Sequence, residues 1–414
     1  MGSTGRAGRR VLIIVENLPV PFDRRVWNEA TALRDAGYEV SVICPKGAGA
    51  QESFLVLDGI HIYRHPLPLD ARGARGYLLE YTSALFWESL LAWRVFFTRG
   101  FDAIHACNPP DLIFLIGGFF KYVFGKKFLF DHHDINPELY EAKFRRKDFF
   151  HRCLLGVERA TFGVADVSIA TNNSYRAIAV ERGKMDPERV FVVRSGPSLD
   201  RMRILPPDPA LKKGRKHLVG YVGVMGAQEG IQYLLEAARH VIHDLGRTAI
   251  QFGLVGGGPE LEHLKVLARE LGIADYVTFT GRAPDSEMLA MLNTADVCVN
   301  PDEYNAMNDK STMNKIVEYM ALGKPIVQFD LTEGRYSAGE ASLYAARNDA
   351  RDLARNILWL VDNPDLCRQM GEIGRRRVVE ELSWAHETPK LLAAYDALFE
   401  GVPAAQPMPE RLQS

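Results

Sequence analysis

The first 200 residues alternate short apolar runs with longer segments in which apolar residues recur every three to four positions. The run Arg10–Val15 precedes a Pro-containing loop and a helical segment that ends at Gly37, before the next apolar run. Strand, loop, helix and glycine stop in this order are typical of a βαβ unit. The pattern predicts strands at 10–15, 38–44, 54–57, 60–64, 102–106, 127–131, 166–170 and 190–193, and helices at 23–36, 77–98, 111–124, 145–163 and 174–182. Between the third and fourth strands, Asp58-Gly59 predicts a type I′ hairpin.

The second half repeats this alternation. The predicted strands are 217–222, 249–255, 277–280, 297–300 and 326–329, and the predicted helices are 231–244, 260–271, 286–294 and 312–322. Residues 349–381 are predicted helical, and 383–399 form one further helix. A Pro-rich stretch at 195–215 separates the halves and indicates a linker. We therefore predict an α/β fold of two Rossmann-like, doubly wound parallel sheets, at 8–197 and 213–382, with ligands in the cleft that they face. The tail 401–414 is predicted disordered.

Composition narrows the functional class. The chain of 414 residues is 47% apolar and 25% charged with a net charge of −2, which argues against disorder, fibres and nucleic-acid binding. Five scattered cysteines without CxxC spacing indicate a reducing, cytosolic compartment. We expect no signal peptide and no membrane-spanning helix.

Glycine-rich loops follow two strands of the second half. Gly223 and Gly226 allow close backbone approach after the first strand, and the helix that begins at Gly230 offers free N–H groups to a phosphate. A plain structural turn is the alternative, and it is favoured for the second loop, 254–260. Gly281 with Arg282 follows a third strand, where a planar base could lie on the backbone; a solvated arginine is the alternative.

The predicted helix 312–322 carries Lys315 and Glu318 three residues apart and hence on one face. In the functional interpretation, Lys315 binds a diphosphate and Glu318 accepts hydrogen bonds from the hydroxyls of a ribose diol. The alternative is an exposed ion pair worth only a few tenths of a kcal/mol.

Two histidines follow the strand 127–131. His132 and His133 lie between Asp131 and Asp134, which suggests an active-site imidazole oriented by a carboxylate. Structural histidines and a zinc site remain alternatives, although adjacent ligands converge poorly.

Two further features of the first half indicate an anionic or lipidic partner. Arg24 and Arg25 follow Asp23 at a helix start, where cations oppose the helix dipole unless an anion approaches; solvated arginines are the alternative. The helices 77–98 and 111–124 are rich in Trp and Phe and lie near Lys143, Arg145, Arg146 and Lys147. They suit a monotopic contact with anionic lipid, and ordinary core helices are the alternative.

Taken together, the motifs GYVGVMGAQEGIQYL, LVGGGPE, FTGRAP and NKIVEYMALGKPIV resemble those of the retaining, metal-independent GT-B glycosyltransferases of family 4. ENLPVPFDRRVWNEA, ACNPPD and DHHDINPELY are similar to bacterial exopolysaccharide and O-antigen transferases that act on polyprenyl-linked sugars. In that fold the last helix, here 383–400, crosses back to the first domain.

The resemblance implies roles for individual residues. Glu318 matches a ribose-binding glutamate, Gly223 and Gly226 the loop under the donor phosphates, and His133 the active-site histidine, with His132 as its rival. The full implied set is His133, His132 and Asp134 for catalysis, Gly223, Gly226, Gln228, Gly230, Arg282, Asn314, Lys315, Glu318 and Lys310 for the donor, and Asn17, Asp23, Arg24 and Arg25 for the acceptor.

The chain also departs from the family. Val224 and Glu229 stand where relatives place basic residues, and Lys310 replaces a carboxylate that faces the donor sugar. Helix ends act as about half a charge, so Lys315 should be the main cation on the diphosphate.

The expected activity is retaining transfer of a sugar from a nucleotide donor, UDP-linked, to a lipid-linked or polysaccharide acceptor, without metal or cofactor. The leaving phosphate would take the acceptor proton in a same-face attack. The expected location is the cytoplasm, at the inner face of the plasma membrane. A nucleotide-sugar 2-epimerase of the same fold and a non-enzymatic nucleotide-sugar sensor are the alternatives.

Overall fold

The computed structural model describes residues 6–47, 49–66 and 73–401, with side chains described from residue 82 onward in the helix that begins at Gly73. They form two compact units. Unit 1 contains the described residues of Met1–Pro137, Lys147–Val193 and Thr388–Ser414, and unit 2 contains Glu138–Arg146 and Arg194–Glu387. The predicted disordered tail lies, apart from Gly401, outside the described residues.

Unit 1 is built on one sheet. Its strands are β1 Arg10–Val15, β2 Glu39–Pro45, β3 Phe54–Leu57, β4 Ile60–His65, β5 Ala103–Cys107, β6 Lys127–His132, β7 Val167–Ala170 and β8 Val190–Val192. Its helices are α1 Arg24–Asp35, α2 Gly73–Thr98, α3 Phe114–Phe124, α4 Asn136–Phe144, which passes into unit 2, α5 Phe149–Val164 and α6 Asn173–Ala177. The sheet order is β3-β4-β2-β1-β5-β6-β7-β8.

All neighbouring strands of this sheet pair in parallel except β3 and β4, which are antiparallel. Asp58 and Gly59, with φ of 49° and 80°, form the turn between them. Two positive φ values are what a type I′ turn requires, so the predicted hairpin is confirmed.

Unit 2 has an all-parallel sheet in the order β11-β10-β9-β12-β13-β14. Its strands are β9 His217–Val222, β10 Ile250–Val255, β11 Val277–Gly281, β12 Val297–Asn300, β13 Ile326–Phe329 and β14 Ser342–Ala345. The helices are α7 Ile231–Arg239, α8 Leu261–Glu270, α9 Asp285–Thr294, α10 Asn314–Ala321, α11 Thr332–Ala338, α12 Ala350–Asp362, α13 Pro364–Arg377 and α14 Trp384–Glu400. Residues of α14 from Thr388 onward belong to unit 1, as expected for a returning helix.

The predicted two-sheet α/β architecture is confirmed, with local differences. α4, α11 and β14 were not predicted, because short elements leave little periodicity in the sequence. The helix predicted from 145 begins at Phe149, because the carboxylate of Asp148 accepts hydrogen bonds from the N–H groups of Phe150 and His151 and caps it there.

The terminal helix packs on unit 1 through aromatic contacts. The Tyr395 and Tyr38 rings lie 5.4 Å apart, and the hydroxyl of Tyr395 is 2.9 Å from Nδ1 of His105 in β5. Buried aromatic rings with a satisfied hydroxyl hold an element firmly, so this contact fixes α14 on the first sheet.

Helix α2 packs against β2 and β4 and buries one carboxyl group. Glu88 is fully buried, and neither of its oxygens has a hydrogen-bond partner in the described part of the chain. Burial raises the pKa of Glu88 to about 8. The group therefore stays protonated in the folded chain near neutral pH.

The two aromatic helices of unit 1 are only partly core. Phe120 of α3 is buried, whereas Phe97 of α2 and Tyr122 of α3 are exposed over most of their surface. Among the described helices, none combines the length and the apolar character needed to cross a membrane.

Candidate functional site

The two glycine loops of unit 2 pack directly on each other. A Cβ atom on Gly256, whose φ is 141°, would lie 1.8 Å from the carbonyl oxygen of Gly223. A Cβ on Gly258 would lie 2.5 Å from the carbonyl oxygen of Met225. Only glycine fits such approaches, so the second loop supports the first. Its predicted structural role agrees with this placement.

Helix α7 begins behind the first loop. Gly230 precedes it with φ of 63°, and a Cβ there would lie 2.0 Å from the carbonyl oxygen of Pro301. The loop after β12 thus presses against the start of α7. This contact places the α7 N-terminus, Gly226 and the residues after β12 at one edge of the sheet, where an anion could bind.

Lys315 is buried beneath this edge and is already paired. Its Nζ donates to Asp302 at 2.8 Å and to Glu229 at 2.8 Å, and it lies 5.1 Å from the ring of Tyr221. Burial alone would lower the pKa of Lys315, but the Asp302 carboxylate outweighs it and the pKa lies well above its usual range. Burial raises the pKa of Asp302 to about 7, with Lys315 opposing and Glu229 adding to the effect. The predicted phosphate cation therefore has its charge compensated within unit 2.

Glu318 makes a separate ion pair. Arg201 donates to its Oε1 at 2.8 Å and also donates two hydrogen bonds to Asp285, at 2.8 and 3.0 Å. Burial would lower the pKa of Arg201, but Asp285 and then Glu318 raise it overall. Arg201 lies in the stretch predicted as a linker, so sequence reasoning missed it. An ion pair between Lys315 and Glu318 is not what holds either side chain.

The remaining predicted donor residues lie around the same edge of unit 2 or on its surface. Lys310 pairs with Glu138 at 3.4 Å. Gln228 lies in the turn before α7, Asn314 is the exposed first residue of α10, and Arg282 is exposed after β11. Their roles toward a donor stay predictions.

In unit 1 the two histidines have different surroundings. His132 is fully buried, with its ring about 5 Å from those of Phe162 and Tyr175 (5.2 and 5.0 Å). The side chain of His133 is 14% exposed, and its Nε2 hydrogen-bonds the carboxylate of Asp131. His133 thus has the exposure and the orienting carboxylate that an active-site imidazole needs, and His132 has the environment of a core residue.

Asp134 is positioned by its backbone. Its N–H donates to Oδ1 of Asn108 at 3.0 Å, and its carbonyl accepts from Nδ2 of the same residue at 2.6 Å. The N–H of His133 also donates to Asn108 Oδ1, at 2.6 Å. Asn108, which sequence reasoning did not select, therefore fixes the loop after β6.

Arg25 is buried at the centre of an acidic cluster. It donates to both oxygens of Asp131 at 2.8 and 3.0 Å, to the carbonyl of Val193 at 2.8 Å, and lies 3.2 Å from Glu29. Burial would raise the pKa of Asp131, but Arg25 and then His133 hold it well below its usual range, whereas burial raises the pKa of Glu29. This placement does not support the prediction that Arg25 contacts an acceptor phosphate.

The other predicted acceptor residues differ in exposure, and Asp23 is buried. Arg24 and Asn17 are exposed, and Asp23 caps α1 by accepting from the N–H of Val26 at 3.1 Å. The cap explains why the helix begins there despite two arginines. Contacts of these residues with an acceptor stay predictions.

The acidic cluster also has the spacing of a metal site. Ligand atoms of Glu29, Cys107, Asp131 and His133 all lie within 4.8 Å of one another. The guanidinium of Arg25, which donates to Asp131 within this group, supplies the positive charge that the carboxylates require. A cation would have to displace it, so these residues do not fit a resident metal.

Comparison with known proteins covers both halves of the chain. Residues 23–201 match the family model described as Glycosyltransferase Family 4, and residues 216–363 match Glycosyl transferases group 1. Alpha-maltose-1-phosphate synthase of Mycolicibacterium smegmatis is 28% identical over 268 residues, 58% of this chain and 65% of that protein. The 2-deoxystreptamine glucosyltransferase of Streptomyces kanamyceticus is 26% identical over 60% of this chain and likewise 65% of its own. The chain thus matches about two thirds of the length of these relatives.

Solved structures extend the similarity to nearly the whole fold. Sucrose-phosphate synthase from Thermosynechococcus elongatus superposes with a TM-score of 0.78 at 21% identity, covering 95% of this chain and 99% of that one. Anabaena HepE in complex with UDP-glucose gives a TM-score of 0.72 at 15% identity, covering 94% and 100%. At such identities the likeness concerns the fold.

Proposed function

We propose that the chain, whose two halves match the family models Glycosyltransferase Family 4 and Glycosyl transferases group 1, is a glycosyltransferase that transfers a sugar from a UDP-sugar to a lipid-linked acceptor. Transfer proceeds with retention and without a metal. The acceptor carries a polyprenyl diphosphate or an equivalent membrane anchor, as in the synthesis of exopolysaccharide or other envelope glycans.

The observation that carries the donor half of this proposal is the edge of unit 2. The glycine loop after β9, the N-terminus of α7 and the buried Lys315 converge there, and Glu318 lies one helical turn from Lys315. Backbone N–H groups and an ammonium suit a diphosphate, and the carboxylate of Glu318, with one oxygen on Arg201, suits a ribose diol. Anabaena HepE, which shares the fold, is solved with UDP-glucose. His133, oriented by Asp131, is the residue that we assign to the reacting sugar.

An exposed apolar surface on unit 1 supports the acceptor half. We define the α2/α3 patch as the exposed large apolar residues of the two helices: Phe86, Leu90, Phe97, Leu115, Phe119, Tyr122, Val123 and Phe124. Trp93 joins the helices, with its ring 5.6 Å from that of Phe119. A cavity of about 250 Å³ lies between them, lined by Leu85, Ser89, Trp93, Leu115, Ile116, Phe119 and Phe120. A patch of this kind marks an interaction site, and basic residues at its border favour anionic lipid.

We use the name basic border for Arg94, Lys121, Lys126 and Lys127, which lie on these two helices or directly after α3 in the chain. Lys121 pairs with Asp166 at 2.9 Å, whereas Lys126 lies 3.9 Å from Asp102 and over the ring of Phe96. Such a combination of aromatic and basic side chains suits the interfacial region of a bilayer, so the protein would act at the inner face of the plasma membrane.

The donor assignment is tested by calorimetric titration of UDP. Lys315→Ala should weaken binding by roughly 1.5–3 kcal/mol, the range for a hydrogen bond to a charged group. Lys265→Ala is the matched control, because Lys265 of α8 is partly exposed and pairs with the exposed Glu262. Equal UDP affinity of wild type and Lys315→Ala would remove Lys315 from the donor site.

The reaction itself is tested with a panel of nucleotide sugars, each incubated with and without a polyprenyl diphosphate acceptor. Transfer to the lipid, or slow donor hydrolysis in its absence, is expected for one UDP-sugar. Conversion of the donor to its 2-epimer would instead establish the epimerase, and binding without turnover would establish the sensor.

The membrane contact is tested by sedimentation with vesicles of phosphatidylcholine and phosphatidylglycerol. The full chain should pellet at low salt and be released as salt rises, because screening weakens the basic border. Phe97→Glu with Tyr122→Glu should abolish pelleting, whereas Trp359→Glu, an exposed aromatic on α12 of unit 2, should not. Wild-type protein that stays in the supernatant at low salt would refute the contact.

A further inference from the structure

The Lys315 cluster, defined as Lys315, Glu229 and Asp302, holds two carboxylates against one ammonium. Nζ of Lys315 lies 2.8 Å from Glu229 Oε2 and 2.8 and 3.1 Å from the two oxygens of Asp302. The side chains of Lys315 and Asp302 are 9% and 1% exposed. A phosphate that approaches this ammonium therefore meets a group whose charge is already matched.

The two carboxylates are held differently. Asp302 is enclosed and contacts Lys315 through both oxygens. Glu229 is 18% exposed and uses one oxygen. It also lies in the short turn Ala227–Glu229, which is flanked by Gly226 and Gly230 and followed by the α7 N-terminus. Glu229 is thus the partner of Lys315 that can leave toward solvent.

The turn that carries Glu229 is the element that would receive phosphate. Glu229 Oε2 lies 2.8 Å from the Lys315 ammonium, and the turn leads directly into the α7 N-terminus, so a diphosphate held by the ammonium and this N-terminus would occupy the space of the Glu229 carboxylate. A diphosphate would be a third anionic group on one buried ammonium, and the mutual repulsion favours the release of one of the two carboxylates.

We propose that Glu229 sets the donor affinity by occupying the position on Lys315 that the donor diphosphate takes, and that it swings away when the donor binds. Asp302 stays in place and keeps the ammonium aimed at the loop. The inference rests on the proposed function, because it needs a nucleoside diphosphate at this edge. Ligands without phosphate do not compete with Glu229, so its influence should grow with the charge of the ligand.

The test is calorimetric titration of wild type, Glu229→Gln and Glu229→Ala with UDP, UMP and uridine. Glutamine keeps the shape but loses the charge, so both variants should bind UDP about ten- to a hundredfold more tightly, the range of a charge-assisted hydrogen bond. UMP should gain less, and uridine affinity should stay unchanged. Glu236→Gln, an exposed glutamate on α7, is the control and should match wild type for all three ligands.

The outcomes separate the two levels of the argument. If wild type binds UDP and both variants bind it equally or more weakly, the role of Glu229 is refuted and the donor site stands. An equal gain for uridine and UDP would also overturn it, because a change in loop packing rather than charge would then be the cause. No binding of UDP, GDP or ADP to any folded variant would overturn the proposed function and this inference together.

Discussion

The buried carboxyl group of Glu88 gives the molecule a stability that should depend on pH. We consider Glu88→Gln, which keeps the size of the side chain and removes its ability to ionise. In the folded chain the pKa of Glu88 is about 8, because burial disfavours the charged form, whereas its usual value is 4.5. The folded state thus holds a proton that the unfolded state has released between these two pH values.

The sign and size follow from this linkage. Below about pH 4.5 both states are protonated and Glu88 has no effect, and as the pH rises toward 8 the wild type progressively loses stability. Each pH unit in this interval corresponds to about 1.4 kcal/mol, so the loss reaches roughly 3 kcal/mol at pH 7 and about 5 kcal/mol above pH 8. Glu88→Gln avoids it, and should exceed wild type in stability by these amounts.

Urea denaturation of both proteins at about pH 5, 7 and 8.5 measures the difference. Glu372→Gln, on an exposed position of α13, is the control and should follow wild type at every pH. A Glu88→Gln difference that does not change between pH 5 and 8.5 would refute the reasoning, because it would mean that Glu88 is ionised or solvated in the folded chain.

Three further substitutions test other parts of the structure. Gly256→Ala should lower stability by more than about 2 kcal/mol and abolish UDP binding, because its Cβ has no space. In Gly281→Ala the new Cβ meets nothing within 4 Å, so only the smaller cost of a positive φ is expected. Equal melting temperatures of the two variants would contradict this. Tyr395→Phe should destabilise the chain by about 1–3 kcal/mol, because it removes the hydroxyl that a buried histidine bonds, and unchanged urea denaturation would show that this bond contributes nothing. Arg201→Gln should weaken the binding of UDP and of uridine by a similar free energy, about 1 kcal/mol, because it removes the partner of Glu318 and leaves the phosphate loop unchanged. A loss confined to UDP would place Arg201 on the phosphates instead.

The regular elements were readable from the sequence because they obey local rules. Apolar periodicity and glycine stops gave both sheets, and the spacing of Lys315 and Glu318 correctly placed them on one helix. The short β14 and α11 escaped because four to seven residues carry little periodicity.

Side-chain partners were beyond sequence reasoning because they are distant along the chain. Arg201 reaches Glu318 across 117 residues, and Arg25 reaches Asp131 across 106. Arg25 was predicted to contact an acceptor phosphate or solvent, and Arg201, in the predicted linker, was given no role, since nothing local shows which carboxylate lies beside either side chain. The carboxylates that balance the charge of Lys315 could not be predicted for the same reason. In the sequence, Glu229 only marks a position at which relatives carry a basic residue. Its contact with Lys315 depends on two loops that meet in space.

The segment that leads into unit 2 and the segment that leads out of it lie side by side. The N–H of Arg194 donates to Glu387 at 2.8 Å, and the N–H of Trp384 donates to the carbonyl of Pro197 at 3.3 Å. A Cβ on Gly196 would lie 2.5 Å from the carbonyl oxygen of Leu382, so the two backbones touch. Residues 194–387, which make up unit 2 except for Glu138–Arg146, therefore form one continuous cassette whose two ends are already adjacent. A cassette of this kind can be exchanged for that of a relative, or have its ends joined in a circular permutant, with little loop-closure entropy to overcome.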